Sequence, residues 1–474
     1  MKEIIYQLLP RLWKEGKFES VDTGSLEYIR GLGASCVWYT GIVRHATRLS
    51  DCPEKVVKGD AGSPYAITDY YDVNPYMATE QSHRMEEFKD LVARTHEAGL
   101  KVIIDFVPNH VAREYRGALG KDDDENVHWS PSNDFFYYPG ERLRLPVQCD
   151  GYEEMPAKAS GNAFSPAPGI NDWWETVKIN YCNFPTPTWQ KMLDILLFWA
   201  GKGIDGFRCD MVELVPPEFL GWAISKVKEQ YPSVFFIAEV YQKDLYRMYI
   251  ENVGFDFLYD KCGLYDVLRA VTCSNASARE ITWNWQFLQD LQPRMLNFLE
   301  NHDEQRVASD FFCGSPEGGY AALAVSALFN TAPFMLYFGQ EMGERGMQKE
   351  GFSGLDGRTS IFDMCTVPAL QNPDLQVLAR YKELLSLART APFADGLTYD
   401  LCYCQGEGFD KDRHFAWLRS DGKETFLLVA NFGSAIEITV RIPSEALEYL
   451  GVKAVCTQYT LSVPERDYSL IKVH

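Results

Sequence analysis

Four short segments carry carboxylates at the ends of apolar runs: Val102–His110 (VIIDFVPNH), Ile204–Leu214 (IDGFRCDMVEL), Val234–Tyr241 (VFFIAEVY) and Met295–Arg306 (MLNFLENHDEQR). Between them they supply Asp105, Arg208, Asp210, Glu239, His302 and Asp303. Two carboxyl groups held about 5–5.5 Å apart can cleave an acetal with retention, one receiving the sugar carbon and the other protonating the departing oxygen; a wider gap admits water and inverts. Asp210 and Glu239 are the candidates. Asp210 follows Arg208 by two residues, so both face one side of an extended segment. A guanidinium there keeps a carboxylate ionised and in place, as a nucleophile requires. Glu239 ends the run Phe-Phe-Ile-Ala, an apolar setting expected to raise its pKa and keep an acid available. Asp303, next to His302, is suited to hydrogen-bond sugar hydroxyls. Taken singly, each of these residues reads as a solvated rim carboxylate, a surface ion pair or a structural histidine. Only their joint placement at the ends of buried strands points to a site.

The elements that would position them alternate. Ile4–Leu8, Cys36–Tyr39, Val102–Phe106, Ile204–Arg208, Val234–Glu239, Phe255–Tyr259, Met295–Leu299 and Pro333–Phe338 read as eight strands, apolar enough to be buried on both faces. Helical stripes fall between them: Ser82 can cap a helix with Met85, Phe88, Leu91, Val92 and Thr95 on one face, and Pro187–Ala200 and Pro217–Gln230 are helical in period. Eight strands with intervening helices predict a (β/α)8 TIM barrel, an α/β fold whose chemistry sits at the C-terminal strand ends. Residues 111–185 break the alternation and are too long for a plain loop, so they read as an inserted subdomain after the third strand. The barrel then comprises 1–110 and 186–393, and 394–474 is a C-terminal antiparallel β-sandwich, with a hairpin at Ser420-Asp421-Gly422-Lys423. Trp283 and Trp285 alternate as strand residues do and read as packing.

The chain has 474 residues and a formal charge of −20, which argues against nucleic acid or an anionic membrane surface as partner. Its 12 cysteines form no CxxC pair, which removes support for zinc or dithiol chemistry and suits a reducing compartment. The first residues carry no signal-peptide pattern and no run is long enough to span a membrane, so a cytoplasmic location is expected.

At the level of motifs, DFVPNH, GFRCDMVEL, FFIAEVY and FLENHDEQR together resemble the four signature regions of the alpha-amylase family of glycoside hydrolases, over roughly residues 1–390. The resemblance implies a retaining hydrolase of α-glucosidic, mainly α-1,4, bonds in starch-derived maltodextrins. It implies Asp210 as nucleophile, Glu239 as general acid/base and Asp303 as transition-state stabiliser. Arg208 would partner the nucleophile, His110 and His302 would bind hydroxyls, Asp105 would be structural, and Tyr65 in GSPYAITDYYDVNP would stack under the cleaved sugar. Asp356–Asp363 (DGRTSIFD) resembles the eighth-strand loop of some members. A glucanotransferase on the same substrates, or a catalytically inactive sugar-binding barrel, are the alternatives.

Two departures bear on the transfer. Asn109 matches a calcium ligand of the family, but Glu213-Leu214 stand where many calcium-dependent members carry Lys-His, whose histidine gives a main-chain calcium contact. The Leu214 carbonyl could still serve, so no cofactor is required and calcium stays open. Members that trim single glucose units often place an Asp three residues before the stacking Tyr; here that position is Gly62, which favours an open cleft. Trp129, Phe135, Tyr137, Tyr138, Trp173 and Trp174 cluster in the insertion, either as sugar platforms or as its core.

Overall fold

Eight short apolar segments close into a single parallel barrel in the computed structural model, which describes residues 2–115, 134–181, 187–349, 351–453 and 456–474. The strands are β1 (Ile4–Leu8), β2 (Cys36–Tyr39), β3 (Lys101–Phe106), β4 (Gly206–Cys209), β5 (Phe235–Ala238), β6 (Phe257–Tyr259), β7 (Met295–Phe298) and β8 (Phe334–Tyr337). Each pairs in parallel with its sequence neighbour, and β1 closes on β8. Alternate residues point inward: Ile5, Cys36, Trp38, Ile103, Ile237, Leu296, Phe298 and Met335 fill the barrel, while the other set packs under the helices.

Helices Thr23–Gly31, Arg84–Glu97, Pro187–Gly201, Pro217–Gln230, Tyr320–Leu328 and Leu375–Ala388 cover the outside. The second of these starts later than its sequence suggests. Ser82 lies in a 3-10 turn over Gln81–His83 and its hydroxyl donates to Glu80 Oε1, so it does not cap the helix. Trp283 and Trp285 belong to the helix Arg279–Leu288, not to a strand. Trp285 packs on Phe329 at 5.5 Å between ring centres, whereas Trp283 is exposed. Two aromatics separated by a single residue fit either period; only the neighbouring elements decide between them.

After β3 the chain leaves the barrel. His110–Ala112 pairs antiparallel with Thr176–Lys178, and Tyr137–Tyr138 with Ala157–Lys158. This ribbon stands over the C-terminal ends of β3 and β4. Beyond the barrel, β9 (Leu397–Asp400), β10 (His414–Ser420), β11 (Thr425–Asn431) and β14 (Tyr468–Lys472) form one antiparallel sheet, and β12 (Ile436–Arg441) pairs with β13 (Gln458–Val463). The β10–β11 hairpin turns where Ser-Asp-Gly-Lys falls. Among the described residues no helix is long and apolar enough to cross a membrane, and no disulfide links the described cysteines; Cys182 lies outside the described residues.

Candidate active site

Strand register brings the acidic residues together. Arg208 on β4 is the direct neighbour of Asp105 on β3 and of Ile237 on β5. The ladder runs one residue further on both sides, through Asp210 N–H to the Phe106 carbonyl (2.9 Å) and Glu239 N–H to the Cys209 carbonyl (3.1 Å). Asp210 and Glu239 therefore leave adjacent strands at the same height, at the rim where barrel enzymes carry their chemistry. Cys209 points the other way, into the packing under the helices, as period 2 requires.

Arg208 is fully buried and organises the cluster. Its Nη1 donates to Asp210 Oδ1 (2.7 Å), its Nη2 lies 2.9 Å from Glu239 Oε2, and its Nε donates to the Tyr259 hydroxyl (3.3 Å). Asp105 Oδ1 is 3.8 Å from Nη1. The rings of Trp38 (5.5 Å), Tyr65 (5.3 Å) and Tyr259 (5.4 Å) surround the guanidinium. Aromatic faces at that range favour a planar cation. Adjacent nitrogens of one guanidinium thus hold the two carboxylates of the sequence-predicted pair.

Glu239 has a more polar setting than its apolar run suggests. The Met211 N–H donates to Oε2 (2.9 Å) and the Tyr241 hydroxyl to Oε1 (2.9 Å). Met211 adopts left-handed backbone (φ 45°). This conformation is costly for a non-glycine residue, and it aims that N–H at Glu239. For Asp210, burial and then the charge of Glu239 push the carboxyl well above the usual range, against the pull of Arg208. Arg208 contacts Asp210 as the Arg-x-Asp spacing predicts, but three carboxyls share the one guanidinium, and Asp105 too is raised by burial.

The remaining predicted residues converge on the same point. Tyr65 donates through its hydroxyl toward Asp105 Oδ1 (3.3 Å), and its ring stacks on His302 at 5.3 Å. Gln7 Nε2 lies 2.8 Å from His302 Nδ1, and His302 Nε2 lies 3.0 Å from Asp303 Oδ2. Burial works against ionisation of Asp303, but His302 and Arg208 outweigh it and bring the carboxyl down to about 2. Asn301 Oδ1 accepts the N–H groups of Asp303 (2.8 Å) and Glu304 (3.0 Å), fixing the turn that aims Asp303 at the opening, where its side chain is 39% exposed. His110 is held neutral: burial, then Lys178 and Lys58, lower its pKa to about 3.

A cavity of about 160 Å³ lies among Tyr65, His110, Asp210, Glu239 and Asp303. At about 30 Å³ per water it holds some five waters, the scale of one sugar ring. Sequence reasoning did not find several of its walls. Tyr241 was legible, since it stands two residues after Glu239 on the same face. Lys58 and Glu175 were not: they meet only in space, as a buried ion pair at 2.9 Å. Trp173 reaches the cavity beside the His110 ring (5.1 Å), whereas Trp174 and Phe135 are buried packing. Trp129 lies outside the described residues. Ile361 and Phe362 of the Asp356–Asp363 segment close another side.

Gly62 reports the backbone rather than the substrate. It has φ +78°, and a Cβ there would stand 1.7 Å from the Ala46 carbonyl oxygen. Only a residue without a side chain fits such a position. An open cleft therefore does not follow from this glycine. Asn109, the matched calcium ligand, is fully buried beneath His110, and its Oδ1 accepts from Lys178 Nζ. Among the described residues no group of three or more His, Cys, Asp or Glu is arranged to hold a metal. A larger cavity, about 650 Å³, opens beside Trp13, Tyr28 and Met364, and it contains no paired carboxylates.

A closed parallel barrel with carboxylates gathered at the C-terminal ends of β3, β4, β5 and β7 defines the layout of a barrel enzyme's site. Residues 16–367 match the alpha-amylase catalytic domain, and the chain belongs to the alpha-amylase family. It is 25% identical to alpha-amylase 3 of Dictyoglomus thermophilum over 69% of this chain and 60% of that protein. It is 24% identical to a probable oligo-1,6-glucosidase 3 of Bacillus subtilis over 72% of this chain and 65% of that protein. The chain thus spans under two thirds of the length of these curated relatives. A noncanonic maltogenic alpha-amylase from Thermotoga neapolitana superposes with a TM-score of 0.68 at 23% identity, over 99% of this chain and 96% of that one, a likeness of fold.

Proposed function

We propose that the chain is a retaining glycoside hydrolase that cleaves α-glucosidic, mainly α-1,4, bonds of maltodextrins. The observation that carries this reading is the grip of one guanidinium on Asp210 and Glu239 at neighbouring strand ends. A fork of that size keeps the two carboxyls close enough to flank the scissile bond of a bound sugar, one to attack the anomeric carbon and the other, on the opposite side, to protonate the departing oxygen.

In this reading the pair works with one proton. Burial and then the charge of Glu239 raise the Asp210 carboxyl, which supports a resting site that retains a proton. With a sugar bound, Glu239 gives that proton to the departing oxygen as the Asp210 carboxylate bonds to the anomeric carbon. Water then loses a proton to Glu239 and displaces Asp210, so configuration is retained. Positive charge grows on the sugar ring in the transition state of each step. Asp105, Asp210 and Glu239 outnumber the single buried cation even with one proton among them, and that excess of negative charge, fixed in advance, is the electrostatic help such a transition state needs. Asp303, held ionised, and the hydroxyl-facing His110 and His302 complete the ring's contacts, Tyr65 stacks beneath it, and Asp105 braces Arg208. The maltogenic and oligo-glucosidase names among the relatives and the one-ring cavity favour short α-glucans as substrates. The unpaired thiols are consistent with a cytoplasmic setting.

The test is product analysis by NMR with maltoheptaose. The initial product should carry the α-anomeric configuration. Release of the β-anomer would end the retaining assignment, and longer oligosaccharides would identify transfer to an acceptor sugar.

A further inference from the structure

Lys178 ends the strand Thr176–Lys178, and its Cα is the register partner of His110. Its ammonium is buried, and its contacts among the described residues include two oxygens from different parts of the chain. One is Asn109 Oδ1, between β3 and the ribbon. The other is the Leu214 carbonyl, 2.7 Å away, at the end of the 3-10 turn Val212–Leu214 that follows Asp210 and Met211. A side-chain amide oxygen and a main-chain carbonyl converging on one point are ligands a hard cation uses. Here a positive charge fixed to the chain already stands at that point. A divalent ion on the same oxygens would face that charge at contact distance and compete with it for the same lone pairs. The residues present do not fit a bound calcium.

We propose that Lys178 is the resident cation of this junction and replaces a divalent ion by a covalently attached charge. It is a positioning residue with two arms. Through Leu214 it pins the turn that leads out of Asp210. Through Asn109 it sets His110: with Oδ1 occupied by the ammonium, the amide nitrogen turns to the Gly161 carbonyl (3.0 Å) and to His110 Nδ1 (3.1 Å). Nδ1 therefore accepts, and the ring proton resides on Nε2. Lys178 thus links the ribbon, the end of β3 and the end of β4 without touching a reacting atom. This assignment does not depend on which glycoside the cleft cleaves.

The test uses melting temperature, calcium titration calorimetry and the imidazole ¹⁵N signals of His110. The wild-type chain should melt at the same temperature in excess calcium and in excess EDTA, and should take up no calcium. Lys178→Met should melt several degrees lower in both conditions, with His110 changing from one tautomer to a mixture. Lys178→Asp places a carboxylate beside the two freed oxygens. It should melt low in EDTA, bind one calcium per chain, and regain both melting temperature and a single His110 tautomer when calcium is added. A wild-type melting temperature that falls in EDTA and returns with calcium would overturn the proposal. So would Lys178→Met with wild-type melting and wild-type His110 signals, or Lys178→Asp indifferent to calcium. The wild-type comparison needs no variant, so it decides even where a variant does not fold.

Discussion

Two buried arginines sit near the rim of the same barrel and live in opposite electrostatic circumstances. Among the described residues Arg306 has one acid within 4 Å, Glu300 (2.9 Å), and the rest of its fork is met by the Phe338 carbonyl (2.9 Å) and by Thr359 Oγ1 (2.8 and 2.9 Å). Glu300 in turn accepts the Val307 N–H (2.6 Å). Arg208 instead faces three acids within 4 Å, together with the Tyr259 hydroxyl. The first cluster is closed, with a single acid in contact; it ties the end of β7 to the chain after β8, including Thr359 of the segment that walls the cavity. The second is overloaded with negative charge and opens on that cavity. The difference separates a device for stability from one for chemistry, although the residue types are the same.

Breaking the second cluster should show first in rate. Asp210→Asn and Glu239→Gln should each lower kcat by about 10³-fold or more while the far-ultraviolet spectrum is unchanged. Turnover near wild type in either variant would remove these residues from the chemistry. Breaking the first cluster should show in stability. Arg306→Met strands a buried carboxylate and should cost about 3–5 kcal/mol in denaturant unfolding, with kcat/KM of the folded protein close to wild type. A variant that is as stable as wild type would mean that Arg306 is no brace.

Acidity sharpens the contrast. Burial, opposed by Arg306, raises the Glu300 carboxyl from its ordinary value of 4.5 to about 7. A carboxyl raised on folding contributes stability that is fully present below pH 4.5 and is lost as pH rises through about 7. The penalty of Arg306→Met should accordingly be smaller at pH 5 than at pH 8, measured by thermal melts across that window. Asp210→Asn removes a raised carboxyl from the second cluster and should increase the melting temperature at neutral pH while turnover falls, the trade expected of a functional site. The smallest effect belongs to the cavity wall. Trp173→Ala should raise KM for maltooligosaccharides by about 3–10-fold with little change in kcat, the scale of one aromatic contact.

Most of the barrel was legible because its strands are buried on both faces and their apolar runs have sharp edges. Cys36–Tyr39 is a strand from end to end as read, and Asp210 and Glu239 fall one residue beyond β4 and β5. Asp105, Arg208, His302 and Asp303 could be read for the same reason. What stayed hidden depends on chain separation. Lys178 meets Asn109 across 69 residues and Lys58 meets Glu175 across more than 100, and neither lysine sits in a periodic run that would flag it. The sharing of charge was also beyond sequence. The apolar run before Glu239 gave no sign of the Met211 N–H, and a motif of Arg-x-Asp cannot reveal that the arginine serves a third acid on β3.

Gly62 has an evolutionary consequence. Its tight approach to Ala46 forbids every larger residue, so no single substitution at that site can install an acid facing the sugar. A lineage carrying this loop would have to alter its preference elsewhere, and the Lys58–Glu175 pair, already set in the wall, is the nearest place where exchanging a charge would be felt by an incoming chain.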